Sequence, residues 1–345
     1  MGRVTIKDIA RETGLSIATV SYVLNGKDNV LEETKKLVQE TAERLGYIRN
    51  YSARSLVMNR SNLIGVVIPQ TEPGRAMVFE NPFYSEILSS IEYHARKIGY
   101  HILISGTDAD ENYYNLVTER NLDGIIVIGA YSDAFYKGLM TTKVPMVLVD
   151  SYIQGQAFNV VSIDDIEGGY KATRYLLERG HKDIAFMAGC FKKDGVCERR
   201  YQGYRKAMEE AHLTIKEENI LTAYTDFDSG RQMAKKMVET TKATAVFCDA
   251  DILALGAIKE LTEMGKKIPE DISIIGFDNL GIAGYSTPGL TTVGQDVFEK
   301  GKKAVELIQY TIQNKDGKPQ VITLETYIVT RESVMERRDR EVYEK

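Results

Sequence analysis

The sequence predicts two kinds of fold in one chain: an α-helical helix-turn-helix domain, then an α/β core of two Rossmann-like subdomains. Three observations carry that prediction. Short amphipathic stretches joined by a glycine-containing turn lie within residues 5–46. Beyond residue 60, Val/Ile-rich runs alternate with amphipathic stretches. Charge divides at the same place, because residues 1–60 hold 10 Lys/Arg against 7 Asp/Glu while the remainder carries −8. With 345 residues and 43% hydrophobic content, the chain can bury two or three separate cores.

The N-terminal elements follow in order. "TIKDIARETG" (5–14) reads as a helix with Thr5 as N-cap, Asp8 three residues later, and Ile6, Ile9 and Ala10 on one face. Gly14 ends it. Ser16 caps a second helix that turns Val20, Val23 and Leu24 inward and leaves Ile17, Ala18, Ser21 and Tyr22 outside. Its small and β-branched residues are poor helix formers, but small side chains let a helix backbone approach DNA closely in the major groove. "LEETKKLVQETAERLG" (31–46) reads as a third helix, with Leu37, Ala42 and Leu45 closing a small core. Arg44, Arg49, Arg54 and Arg60 follow with no acid between them, as a phosphate-facing segment requires; a solvated charged face is the plainer alternative. Taken alone, the pattern also fits a three-helix bundle that binds nothing.

In the larger part, apolar runs at 63–68, 101–105, 124–128, 146–149, 160–163, 184–188, 244–248 and 272–277 read as strands. Continuous apolar strands between helices mean parallel sheets covered on both faces, and two such series suggest two subdomains with a cleft between them.

Several function classes are excluded or disfavoured. There is no GxGxxG, GxxxxGK, HExxH or GxSxG sequence, and His94, His101, His181 and His212 show no ligand spacing, so neither an enzyme nor a metal or cofactor site is expected. The adjacent acids Asp164 and Asp165 read as a solvated loop pair. Cys190, Cys197 and Cys248 are too few and scattered for a disulfide framework and are expected to be reduced. Apolar runs fall far short of the roughly 20 residues a membrane helix needs. The N-terminus lacks the apolar core of a secretory signal, so a cytoplasmic location is expected.

The string "VTIKDIARETGLSIATVSYVLNG", followed by "EETKKLVQETAERLGYIRNYSARSL", resembles the N-terminal domain of the LacI/GalR family of bacterial transcriptional regulators. Similarity continues through "IGVVIP" (64–69), "NPFYSEIL" (81–88), "DGIIV" (123–127), "GHKDIAFMAG" (180–189), "RYQGYRKAMEEA" (200–211), "PEDISIIGFDN" (269–279) and "TPGLTTVGQD" (287–296). The resemblance implies a core like the type I periplasmic binding proteins, with chain crossovers near 160–163, 290 and 323. The expected organisation is a DNA-binding domain over 1–48, a hinge helix over 49–60, and a core over 61–345. Within the core, an N-subdomain would take about 61–161 and 291–322, and a C-subdomain about 162–290 and 323–336.

The resemblance also implies roles for individual residues. Ile17 and Ala18 match positions that meet bases first; neither makes a bidentate hydrogen bond, so they would read shape and thymine methyls. Tyr22 stands where the family often has Arg or His, which implies an altered operator preference; a Tyr folded against its helix is the alternative. Thr5, Thr19, Ser21, Asn25 and Tyr47 match phosphate contacts, and Ser16 and Asn50 complete the DNA-facing set. Ala53 and Leu56 match residues that wedge into the minor groove. So short a hinge should fold only in a homodimer on operator DNA. The charged C-terminus lacks a leucine heptad, so no tetramer is expected.

Phe83, Asp150, Arg200, Asp278 and Gln295 match positions around the effector cleft, where an aromatic face, carboxylates and a guanidinium would suit a hydroxyl-rich ring. The plainer roles are core packing for Phe83, loop capping for Asp278 and an acid outside the cleft for Arg200. Ala250 replaces the Asn of many relatives, and "EPGRAMVFE" (72–80) reads as an insertion, a lid or a surface loop. The expected function is a repressor controlled by a small-molecule effector, read as a carbohydrate. The alternatives are a corepressor-dependent regulator answering to a purine or a phosphoprotein, and a cleft protein whose first 60 residues bind protein.

Overall fold

The computed structural model describes residues 4–26, 30–47, 60–70, 79, 81–108, 119–153, 158–193, 195–314 and 316–337. The expected hinge over 49–60, with Asn50, Ala53 and Leu56, lies outside these residues except for Arg60, and the insertion over 72–80 does so except for Phe79. The chain divides into two units, Met1–Ser61 and Asn62–Lys345.

The first unit holds α1 (Ile6–Thr13), α2 (Ile17–Leu24) and α3 (Glu32–Arg44). Thr5 starts α1 by donating from its backbone N–H and its hydroxyl to Asp8 Oδ2, at 2.9 and 2.7 Å. Gly14 stops α1 at φ +71°, a left-handed conformation that glycine adopts without Cβ strain. Ser16 Oγ then accepts from the Thr19 N–H at 3.0 Å and opens α2. Ile9, Ala10, Val20, Val23, Leu24, Val38 and Ala42 form the core. Leu37 does not belong to it: the side chain is 45% exposed, and Val38 is fully buried in its stead. The inward face of α3 steps through 38, 41, 42 and 45, at which spacing position 37 points to solvent.

The second unit is built on two sheets. β1 (Leu63–Gln70), β2 (His101–Asp108), β3 (Gly124–Ile128), β4 (Met146–Val149), β5 (Asn159–Ile163) and β11 (Val321–Leu324) form the first, in the order β11-β5-β4-β3-β1-β2, all parallel. β6 (Ile184–Gly189), β7 (Ile220–Ala223), β8 (Ala245–Cys248), β9 (Ser273–Asp278), β10 (Thr291–Gln295) and β12 (Thr326–Val329) form the second, in the order β12-β10-β9-β8-β6-β7, with only β12 antiparallel. Each sheet has an apolar core on both faces, which is why its strands read as continuous apolar runs. α4 (Pro82–Lys97) and α10 (Val297–Gln313) cover one face of the first sheet and α5 (Asp133–Thr141) the other. α6 (Asp165–Leu177) and α7 (Val196–Glu210) cover one face of the second, α8 (Phe227–Thr240) and α9 (Asp251–Glu263) the opposite one.

The chain passes between the sheets three times: from β5 into α6, from β10 into α10, and from β11 to β12. The second passage differs from the expectation near 290. Thr291–Gln295 pairs in parallel with β9 and so lies in the second sheet, and the chain leaves that sheet only after Gln295.

Candidate functional site

In the first unit, the outer face of α2 presents Ile17, Ala18, Tyr22 and Asn25, spaced to fall on one side of the helix. Ile17 is 51% and Tyr22 47% exposed, so large apolar surface is held in water where it contributes nothing to the core. Polar side chains beside them are tied locally: Ser16 Oγ lies 2.9 Å from Thr19 Oγ1, and Asn25 Nδ2 donates to Ser21 Oγ at 3.2 Å. Those bonds fix rotamers on the surface expected to face phosphates. The half-buried Tyr47 packs against the core and donates its backbone N–H to the Ala42 carbonyl at 2.8 Å. Arg44, the first residue of the basic run, pairs with Glu12 at 2.9 Å.

In the second unit, charged groups gather where strands end. Parallel strands bring their C-terminal ends to one edge, so Asp150 follows β4, Asp249 follows β8, and Asp278 and Gln295 close β9 and β10. Lys300 of α10, fully buried, donates to both Asp150 oxygens at 2.7 and 2.8 Å and to Gln295 Oε1. Gln295 Nε2 donates to Asp278 Oδ1 at 2.6 Å, and Asp278 lies 3.6 Å from Arg200 Nη1. Arg200 Nε donates to Asp165 Oδ1 at 2.6 Å, and Tyr152 donates to the other oxygen of Asp165. A continuous polar chain thus joins the edges of the two sheets.

Arg200 is placed by close helix packing. A Cβ on Gly169 of α6 would come within 2.1 Å of the Arg200 carbonyl oxygen, and one on Gly203 of α7 within 2.1 Å of the Ile166 carbonyl. Only glycine permits that approach. The guanidinium lies over the Phe277 ring at 3.6 Å and also donates to the Asp249 carbonyl. Asp150 and Asp278 have φ of +53° and +110°, strained values for side chains with a Cβ, which the surrounding bonds hold in place.

Burial raises the carboxyls of this cluster. Asp278 is pushed up to about 7 by burial, against the pull of Arg200 and the Gln295 hydrogen bond. Asp249 is pushed up to about 6, again chiefly by burial and against Arg200. Burial lifts Asp150 while Lys300 draws it back. Asp251, bonded to Thr292 and to the Leu280 N–H, is raised well above the usual range by burial and then by Asp278. Arg200 is held charged despite burial by Asp165, Asp278 and Asp249.

Four of the five residues expected around the cleft therefore meet in one network: Asp150, Arg200, Asp278 and Gln295. Phe83 stands beside it, half-buried on the core of the first sheet, with its ring centroid 5.7 Å from Lys300 Nζ. The expectation for Asp165 fails. Asp164 is indeed exposed, capping α6 by accepting from the Ile166 and Glu167 N–H groups, but Asp165 is fully buried against Arg200. Asp164 is the extended N-cap residue and Asp165 the first residue of the helix, so one acid caps while the next enters the core. Sequence reading missed Lys300, Asp249 and Asp251 altogether; Lys300, in the otherwise apolar face of α10, was the available signal. His181 is a buried hydrogen-bonding residue, 3.0 Å from Thr244 Oγ1 and 3.3 Å from the Met335 carbonyl.

Residues 5–50 match the family described as "Bacterial regulatory proteins, lacI family", and residues 173–334 match the "Periplasmic binding protein-like domain". The chain is 35% identical over 340 residues to the HTH-type transcriptional repressor PurR of Pasteurella multocida, covering 96% of this chain and 99% of that protein. It is similar to the lac repressor dimer bound to operator and the anti-inducer ONPF, with 25% identity, a TM-score of 0.85, and 97% and 100% coverage. Similarity extends to a complex of the transcriptional regulator CelR with cellobiose, with 27% identity, a TM-score of 0.71, and 96% and 100% coverage.

Proposed function

Because the chain belongs to the lacI family of bacterial regulatory proteins and is a DNA-binding transcriptional repressor rather than an enzyme, we propose that a purine-type corepressor, held at the buried polar network, controls its grip on the operator. The observation that carries the effector class is the 35% identity over nearly the whole length to repressors named PurR. Cellobiose in the CelR complex favours the second reading, a carbohydrate, at the lower identity of 27%.

On this reading, Ile17, Ala18 and Tyr22 meet base edges from α2, while Thr5, Ser16, Thr19, Ser21, Asn25, Tyr47 and Asn50 position the unit on phosphates. Ala53 and Leu56 wedge into the minor groove, and two copies of the chain pair to place two such units on a two-fold operator. Phe83 offers a stacking face, and Asp150, Arg200, Asp278 and Gln295 form the polar edge. A cytoplasmic repressor of this kind gains operator affinity when its ligand favours one arrangement of the two sheets, which is coupling between sites. Among the described residues no helix is long and apolar enough to cross a membrane.

The test is fluorescence anisotropy of the full chain on pseudo-palindromic operator duplexes, alone and with hypoxanthine, guanine, ribose or cellobiose. Weak binding strengthened by a purine is the expected result. Tight binding abolished by a sugar would replace this reading with an induced repressor, and salt-independent or absent operator binding would remove the DNA assignments.

A further inference from the structure

Asp249 differs from the other carboxylates of the network. Asp150, Asp165, Asp251 and Asp278 each accept a hydrogen bond from within the chain. Both carboxylate oxygens of Asp249 are buried and neither has a well-aligned hydrogen-bond donor, the Cys197 thiol and the Gly189 amide favouring its charged form only in part. The residue stands one position past β8, at the edge where β6 ends in Gly189 and β9 in Asp278, and its own carbonyl holds Arg200. A buried carboxylate without a well-aligned donor is costly even beside the Arg200 guanidinium, and an amide or apolar side chain would serve folding better. Such an expense is tolerated where a bound partner relieves it.

We infer that Asp249 is a specificity-determining contact of the effector and accepts two parallel N–H donors from a nitrogen heterocycle; the inference rests on the purine-type reading above. Two neighbouring carboxylate oxygens match the paired N–H groups of such a heterocycle in bidentate geometry. Lys300 already occupies Asp150 and one face of Gln295, so the acceptors of those residues are spoken for within the chain. Asp249 adds an acceptor next to Ala250, which itself offers no polar group.

Guanine and hypoxanthine separate the possibilities, because guanine presents a ring N–H beside an amino group and hypoxanthine the ring N–H alone. Calorimetric titration of the full chain should give guanine at least about tenfold tighter binding than hypoxanthine. In Asp249→Asn, whose side chain has the same shape but only one acceptor, that ratio should fall to within about twofold. The comparison in the unaltered chain needs no variant, and thermal unfolding of Asp249→Asn checks that it folds. Equal binding of the two purines, unchanged in Asp249→Asn, would overturn the role of Asp249 while leaving the purine reading intact. Binding of ribose or cellobiose with neither purine bound would overturn both.

Discussion

The outer face of α2 and the buried network of the second unit, the two proposed sites, distribute their side chains in opposite ways. On α2 the residues proposed to meet DNA are neutral, exposed and outside the core, whereas those proposed to meet the effector in the second unit are mostly charged, buried and bonded to one another. The difference teaches where each function is stored. A recognition surface can change without unfolding the helices that carry it, but the network is part of the fold, so altering its ligand chemistry alters stability as well.

The contrast is broken most severely at Arg200. Arg200→Met leaves Asp165 and Asp278 buried without their cation and should cost about 3–5 kcal/mol in urea unfolding of the second unit. A cost below about 1 kcal/mol would mean that the network does not contribute to holding the unit together.

Asp249→Asn should act in the other direction. Burial pushes the folded carboxyl up to about 6 from the ordinary aspartate value of 3.8, so the native state binds the extra proton between those values. Stability therefore falls as pH rises through that window, and the penalty is complete above it. The asparagine variant should be more stable than the parent by on the order of 3 kcal/mol above pH 7, with the gain gone below about pH 4. Chemical unfolding at pH 4 and pH 7.5 measures this, and a destabilised variant at both values would show that the carboxylate is structural.

In the first unit the effects shrink. Ser16→Ala removes the cap of α2 and should lower the stability of the three-helix unit by about 1 kcal/mol, read from its thermal transition. Ile17→Ala should change stability by less than about 0.5 kcal/mol while shifting discrimination among operator variants by about 1 kcal/mol. A stability loss as large as that of Ser16→Ala would place Ile17 in the core and erase the contrast.

Local signals made the first unit legible. Thr5, Asp8, Gly14 and Ser16 act within three or four residues of themselves, so capping chemistry alone marks where α1 ends and α2 begins. Leu37 shows the limit, since one residue of helical phase separates it from the buried Val38 and only packing sets that phase. The eight apolar strands were equally readable. β7, β10, β11 and β12 were not: β10 reads TTVGQ with a single large apolar residue, and β11 is an edge strand with alternating exposure that no continuous apolar run announces.

What the sequence by itself determined is the pair of fold classes, the helix-turn-helix and its outward residues, and four members of the network, because these follow from local periodicity, capping and family motifs. Tertiary structure alone decided that Thr291–Gln295 joins the second sheet, that Asp165 is buried beside an exposed Asp164, and that Lys300 reaches Asp150 across 150 positions of chain. The physical reason is range. A cap or a turn is satisfied by neighbours in sequence, while a buried charge is satisfied only by a counter-charge that folding brings to it.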